Sequence, residues 1–169
     1  IVVICPIAKR RPAVLVFIFA CPQIRRMVLK YRAATVFVVD DDKAVADSLR
    51  LLLRSVGLAA ETFSSASEFL LAYQAERPGC LVLDVRMPEM SGPELQLELN
   101  SRGYTLPVIF ISGHADVPMA VEAIKHGAFG FLQKPFRDQE LLDHVKRALE
   151  CDQGIRVQLA ERHRIEERL

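Results

Sequence analysis

The run TVFVVDDD, residues 35–42, decides the fold class: a short β-branched and aromatic stretch halted by consecutive acids. An apolar run without polar alternation suits a strand buried on both faces, and such strands belong to parallel sheets covered by helices. The period then changes. Val45, Leu49, Leu52, Leu53 and Val56 recur along one helical face, which Gly57 closes.

The same alternation continues downstream. LAAETF (58–63) predicts a weaker second strand, Ser67 to Glu76 a second helix, and CLVLD (80–84) a third strand ending on Asp84. A loop with Met87, Pro88 and Gly92 leads to a helix around Glu94 to Ser101, and Pro107 introduces the strand VIFIS (108–112). Asp116 is placed to cap a fourth helix that accepts Pro118 in its first turn and ends at Gly127. AFGFL (128–132) predicts the fifth strand, and a last helix from near Asp138 buries Leu141, Leu142, Val145 and Leu149. Repeated strand–helix units imply a doubly wound parallel α/β sheet. Right-handed crossovers then bring every strand's C-terminus to one edge, where such sheets build their sites.

Composition excludes several classes. Hydrophobic residues make up 51% and charged residues 25% of the 169, as in a folded domain rather than a disordered chain. A net charge of +1 gives no excess of positive charge for nucleic acid. Cys5, Cys21, Cys80 and Cys151 form no CxxC pair, against both a zinc site and a disulfide scaffold. HExxH, GxSxG and GxxxxGK are all absent, so zinc hydrolase, serine hydrolase and P-loop readings lack their first requirement. His114, His126, His144 and His163 are dispersed and read as surface or half-buried imidazoles. Lys9, Arg10 and Arg11 precede AVLVFIFAC (13–21), which resembles a signal peptide superficially but is too short to span a bilayer as a helix. An accessory element or a partner-binding segment is the alternative.

The polar residues fall where a site is expected. Asp40 and Asp41 close the first strand, Asp84 the third and Ser112 the fourth, while Lys134 follows the fifth. Carboxylates forced together repel unless a cation shares the site, and hard oxygen donors suit Mg2+ better than calcium, for which no EF-hand loop exists. The expected ligands are Asp41, Asp84 and the backbone carbonyl of Arg86, with Asp40 assisting directly or through water. An oxygen of Asp84 can then attack phosphorus while Lys134, Ser112 and the amide of Gly113 receive the phosphoryl oxygens.

The strings VFVVDDD (36–42), LVLDVRMPEMSGPEL (81–95) and VIFISGHADVPMAVEAIKHGAFGFLQKPF (108–136) resemble response regulator receiver domains of the CheY-like superfamily. The likeness is greatest to the FixJ/TtrR-like branch of two-component transcription regulators. This resemblance implies a flavodoxin-like fold with strand order 2-1-3-4-5 and Asp84 as phosphoacceptor. It also implies Asp40 and Asp41 as the acidic pair placing magnesium, and Lys134 as the phosphate contact. Ser112 and Phe131 fall at the switch positions, and Lys134–Pro135 at a characteristically cis peptide bond. Gly130 and Gln133 depart from the branch, where Asp and Glu are frequent.

The expected organisation is an N-terminal extension of unclear role at 1–34, a receiver at 35–150, and a helical linker at 151–169 toward an output domain absent from the chain. The resemblance further implies a cytoplasmic protein with no membrane contact, phosphorylated by a sensor histidine kinase. It implies a homodimer through the fourth helix, fifth strand and fifth helix, and DNA contact only through the output domain. It is not an enzyme beyond magnesium-dependent self-phosphorylation and slow autodephosphorylation. A single-domain receiver working through protein contacts or a phosphorelay is the main alternative. A haloacid dehalogenase-type hydrolase would need a second acid two residues after its nucleophile, where this chain has Arg86. An inactive pseudo-receiver would lack part of the acid, hydroxyl and lysine set.

Overall fold

The computed structural model describes residues 34–113 and 117–166. Five parallel strands form one sheet: Thr35–Val39 (β1), Ala59–Phe63 (β2), Gly79–Asp84 (β3), Val108–Ser112 (β4) and Gly130–Gln133 (β5). Their order is β2-β1-β3-β4-β5. The helices are Lys43–Ser55 (α1), Ala66–Ala72 (α2), Gly92–Ser101 (α3), Val117–Lys125 (α4) and Asp138–Glu166 (α5). This is the doubly wound sheet and the strand order that the sequence implies. Among the described residues no helix is long and apolar enough to cross a membrane.

Strand periodicity divides the interior into two cores. Val36, Val38, Cys80, Val82, Ile109 and Ile111 belong to the core completed by Leu49 and Leu53 of α1 and Leu141, Val145 and Leu149 of α5. Phe37, Val39, Leu81, Leu83 and Phe110 alternate with them and belong to a second core with Phe69, Leu95, Leu99 and Ala123. An aromatic chain runs through this second core from Phe63 through Phe37, Phe69 and Tyr73 to Tyr104, with centroid separations between 5.1 and 6.4 Å.

Caps explain the helix starts. The carboxylate of Asp42 accepts from the amides of Ala44 and Val45 at 2.9 and 3.4 Å, satisfying orphan donors at the start of α1. Ser91 and Glu94 form a reciprocal capping box that starts α3 at Gly92, two residues before the expected point.

Two elements differ from expectation at their ends. Helix α2 stops at Ala72 rather than Glu76, because Tyr73 turns extended and inserts into the aromatic chain. The carbonyls of Ala75, Glu76 and Arg77 instead accept from the Arg156 guanidinium. Strand β5 begins at Gly130 rather than Ala128, whose amide is held by the carbonyl of Ala123. His144 is half-buried and places its ring beside Gly130: a Cβ at Gly130 would lie 2.7 Å from His144 Cδ2. His126 is exposed. The extension before residue 34, His114, the Asp116 cap, the side chains of His163 and Ile165, and Leu169 lie outside the described residues.

Leu83 is fully buried and Leu71 is 90% exposed, so the two leucines provide a matched test of the packing. Leu83→Ala is expected to lower the unfolding free energy by about 2–5 kcal/mol, and Leu71→Ala by no more than about 0.5 kcal/mol. Urea denaturation measures both, and equal losses would contradict this placement of the core.

Candidate functional site

Three consecutive acids leave β1, and the structure sends them to three environments. Asp40 is 2% exposed, Asp41 is exposed, and Asp42 caps α1. The adjacent strand β3 is paired so that Val39 lies opposite Leu83, which brings Asp84 beside Asp40 at the carboxyl edge. Burial places both carboxylates where unbalanced charge is costly.

Lys134 supplies the balance. Its Nζ donates at 2.8 Å to Asp40 Oδ2 and at 2.8 Å to Asp84 Oδ1. The other oxygens are also engaged: Asp42 N donates to Asp40 Oδ1 at 2.9 Å, and Arg86 N to Asp84 Oδ2 at 2.7 Å. Burial by itself weakens the hold of Lys134 on its proton, but the hydrogen bonds and charges of Asp40 and Asp84 outweigh it, and the ammonium pKa is raised.

The backbone fixes where that lysine arrives. Ser112 lies opposite Gln133 in the β4–β5 register, and Lys134 N donates to Ser112 O at 2.7 Å. The Lys134–Pro135 peptide bond is cis. Ser112 is buried at the end of β4, and Gly113, next to it, is exposed. Phe131 is half-buried and packs against the second core. Asp40, Asp84 and Lys134 are therefore brought together directly, Ser112 ends the neighbouring strand, and Phe131 stands two residues along β5 from Gln133.

Gly92 is a contributor that the sequence marks only as a loop residue. A Cβ there would lie 2.4 Å from the Asp84 carbonyl oxygen and 2.9 Å from the Phe110 ring. The amide of Gly92 donates to Val85 O at 3.0 Å, folding the intervening loop back on the end of β3. A glycine that opens a helix a short loop after a strand-end acid is the signal for such close approach.

The sequence predicts three converging carboxylates. The described residues place two on a shared ammonium, and contain no group of three or more acids, histidines or cysteines arranged to hold a metal. The donor chemistry nevertheless fits magnesium: Asp40 and Asp84 supply hard carboxylate oxygens with lone pairs to spare, and exposed Asp41 follows Asp40 directly.

Comparison with known proteins points to one family. The model of the response regulator receiver domain family matches residues 36–146. The response regulator protein TodT of Pseudomonas putida is 54% identical over 118 residues, which are 70% of this chain and 52% of TodT. The transcriptional regulatory protein FixJ of Azorhizobium caulinodans is 52% identical over 114 residues, 68% of this chain and 54% of its own. Among solved structures, response regulator StyR superposes with a TM-score of 0.77 at 47% identity, covering 80% of this chain and 68% of StyR. The FixJ-N crystal structure gives 0.66 at 45% identity, covering 69% and 94%. The chain spans about half the length of these curated relatives.

Removing the shared cation tests the charge balance. In metal-free buffer, Lys134→Ala is expected to cost roughly 1–3 kcal/mol of stability by urea denaturation. Because the lysine pKa is higher folded than unfolded, its stabilisation is complete below the unfolded lysine pKa and disappears as pH rises through the folded value. The gap between wild type and Lys134→Ala should thus hold across neutral pH and close in strong alkali. A gap absent at neutral pH would contradict the role given to Lys134. Gly92→Ala is expected to shift the backbone amide resonances of Asp84 and Val85 in NMR spectra, and unmoved resonances would show that the loop yields without disturbing the pocket.

Proposed function

The chain belongs to the response regulator receiver family, and on that premise we propose that Asp84 is the residue that takes the phosphoryl group. As a member it is a phosphoacceptor domain of the two-component kind and not a conventional enzyme. One observation carries the assignment to Asp84. Of the two strand-end acids that share Lys134 it is the more open, its side chain 10% exposed against 1% for Asp40, so an incoming donor meets its oxygen first.

The donor in this reading is a phosphohistidine on a sensor histidine kinase. An oxygen of Asp84 attacks phosphorus in line, the phosphorus–nitrogen bond breaks, and its electron pair leaves with the imidazole. The product is an acyl phosphate. Lys134 has three ammonium donors, so it can pass one from Asp84 Oδ1 to a phosphoryl oxygen without leaving Asp40. The hydroxyl of Ser112 and the amide of Gly113 serve the remaining oxygens. Asp40, Asp41, Asp84 and the backbone carbonyl of Arg86 would hold a magnesium ion, which when bound supplies the positive charge that a pocket of several anions requires. Catalysis is positioning and charge compensation, with no general base among the histidines.

The readout proceeds from Ser112 moving toward the phosphoryl group and Phe131 turning inward in the space this releases. Phe131 lies on β5, beside α4, whose Val121 and Ile124 are 47% and 49% exposed. Burial of the α4, β5 and α5 face in a homodimer is the first consequence of phosphorylation, and a DNA-binding output domain is the second. TdiR of Thauera aromatica, 54% identical over 117 residues, is a transcriptional regulatory protein, which supports that output. A kinase partner fed by ATP places the domain in the cytoplasm.

Intact mass spectrometry with a small phosphodonor and magnesium tests the reading. Wild type should gain one phosphoryl group and Asp84→Asn none, and a chelator should suppress the gain. Undiminished labelling of Asp84→Asn would overturn the assignment. With beryllofluoride, the Phe131 ring resonances should shift, and an unchanged ring environment would remove Phe131 from the relay.

A further inference from the structure

The family match ends at residue 146, yet α5 continues unbroken to Glu166 and passes through Gly154. A glycine inside a helix weakens it relative to alanine and commonly marks its end. Two side chains bracket this weak point. Asp152 is 2% exposed, and its Oδ2 accepts from Gly79 N at 3.0 Å and from Arg156 Nε at 2.8 Å. The Arg156 guanidinium also donates to the carbonyls of Ala75, Glu76 and Arg77, at 3.2, 3.1 and 2.8 Å respectively. Arg77 in turn pairs with Glu61 of β2 and lies over the Phe37 ring at 4.9 Å.

We propose that Asp152 and Arg156 form a clamp that makes α5 through Arg156 an integral part of the receiver and fixes where the chain leaves the sheet. The clamp grips the segment leading into β3, at the edge opposite the acid pocket. The three carbonyls lie in the loop between α2 and β3 and Gly79 opens β3, so one charged pair ties four backbone groups of that segment to α5. The planar fork of Arg156 serves the Asp152 carboxylate and three carbonyls at once, more acceptors than the three donors of a lysine can meet. Residues beyond Arg156 are therefore carried on a helix with a set direction rather than on a free tether.

Hydrogen exchange on the full chain tests this. In wild type, the amides of 153–158 and of Gly79 should exchange slowly, close to the rates of the α5 core at 141–149. Arg156→Ala and Arg156→Lys should each speed exchange at 153–158 and Gly79 by roughly ten- to a hundredfold, leaving β4 and β5 unchanged. Wild-type exchange at 153–158 as fast as in an unsupported helix end would overturn the clamp without recourse to any variant. So would protection that survives Arg156→Ala, or full rescue by Arg156→Lys.

Discussion

Two buried carboxylates at neighbouring strand ends set the terms for the rest of this structure. Asp40 and Asp84 are buried side by side where an unpaired charge is costly, and Lys134 reaches both. Asp40 follows β1, Asp84 ends β3, and Lys134 follows β5 with a backbone bond to the last residue of β4. The pocket thus exists only when four strands are in register, so the chemistry depends on the entire sheet rather than on a local loop. The same arrangement leaves the acids ready for a more highly charged guest, since an ammonium with several donors can share itself with an arriving phosphoryl group.

The sheet also has an opposite edge, and the two edges do different work. At the carboxyl edge, polar groups converge, one helix cap separates Asp42 from its neighbours, and Gly92 keeps the loop tight behind Asp84. At the other edge, Asp152 and Arg156 use charged side chains to satisfy backbone groups. Aromatic packing from Phe63 to Tyr104 fills the space between β1, α2 and the loop that Arg156 holds. A change at the pocket is therefore made against a frame that is anchored elsewhere.

Much of this is legible in the sequence because buried parallel strands are short, apolar and end abruptly. TVFVV, CLVLD and VIFIS each form strands within a residue of the bounds their apolar runs predict, and Asp40 and Asp84 at the ends of the first two converge because the strands are parallel. The illegible part depends on contacts distant in sequence. The early end of α2 comes from Tyr73 joining the aromatic chain and from Arg156, about eighty residues later, claiming carbonyls that a longer helix would have used. The different fates of Asp40, Asp41 and Asp42 are fixed by capping and by strand pairing, and no spacing rule separates adjacent acids. Gly130 stands in the sequence as a departure from the family pattern, and the reason it fits here, the His144 ring beside it, emerges only from the packing of α5 on β5.

The central claim is that the nucleophile is the one carboxylate shared between Lys134 and the Arg86 amide. Borohydride reduction of the phosphorylated protein converts an acyl phosphate of aspartate to homoserine, and peptide mass spectrometry locates it. The account predicts homoserine at position 84 alone. Homoserine at position 40 or 41, or a phosphorylated chain in which reduction alters no aspartate, would contradict it.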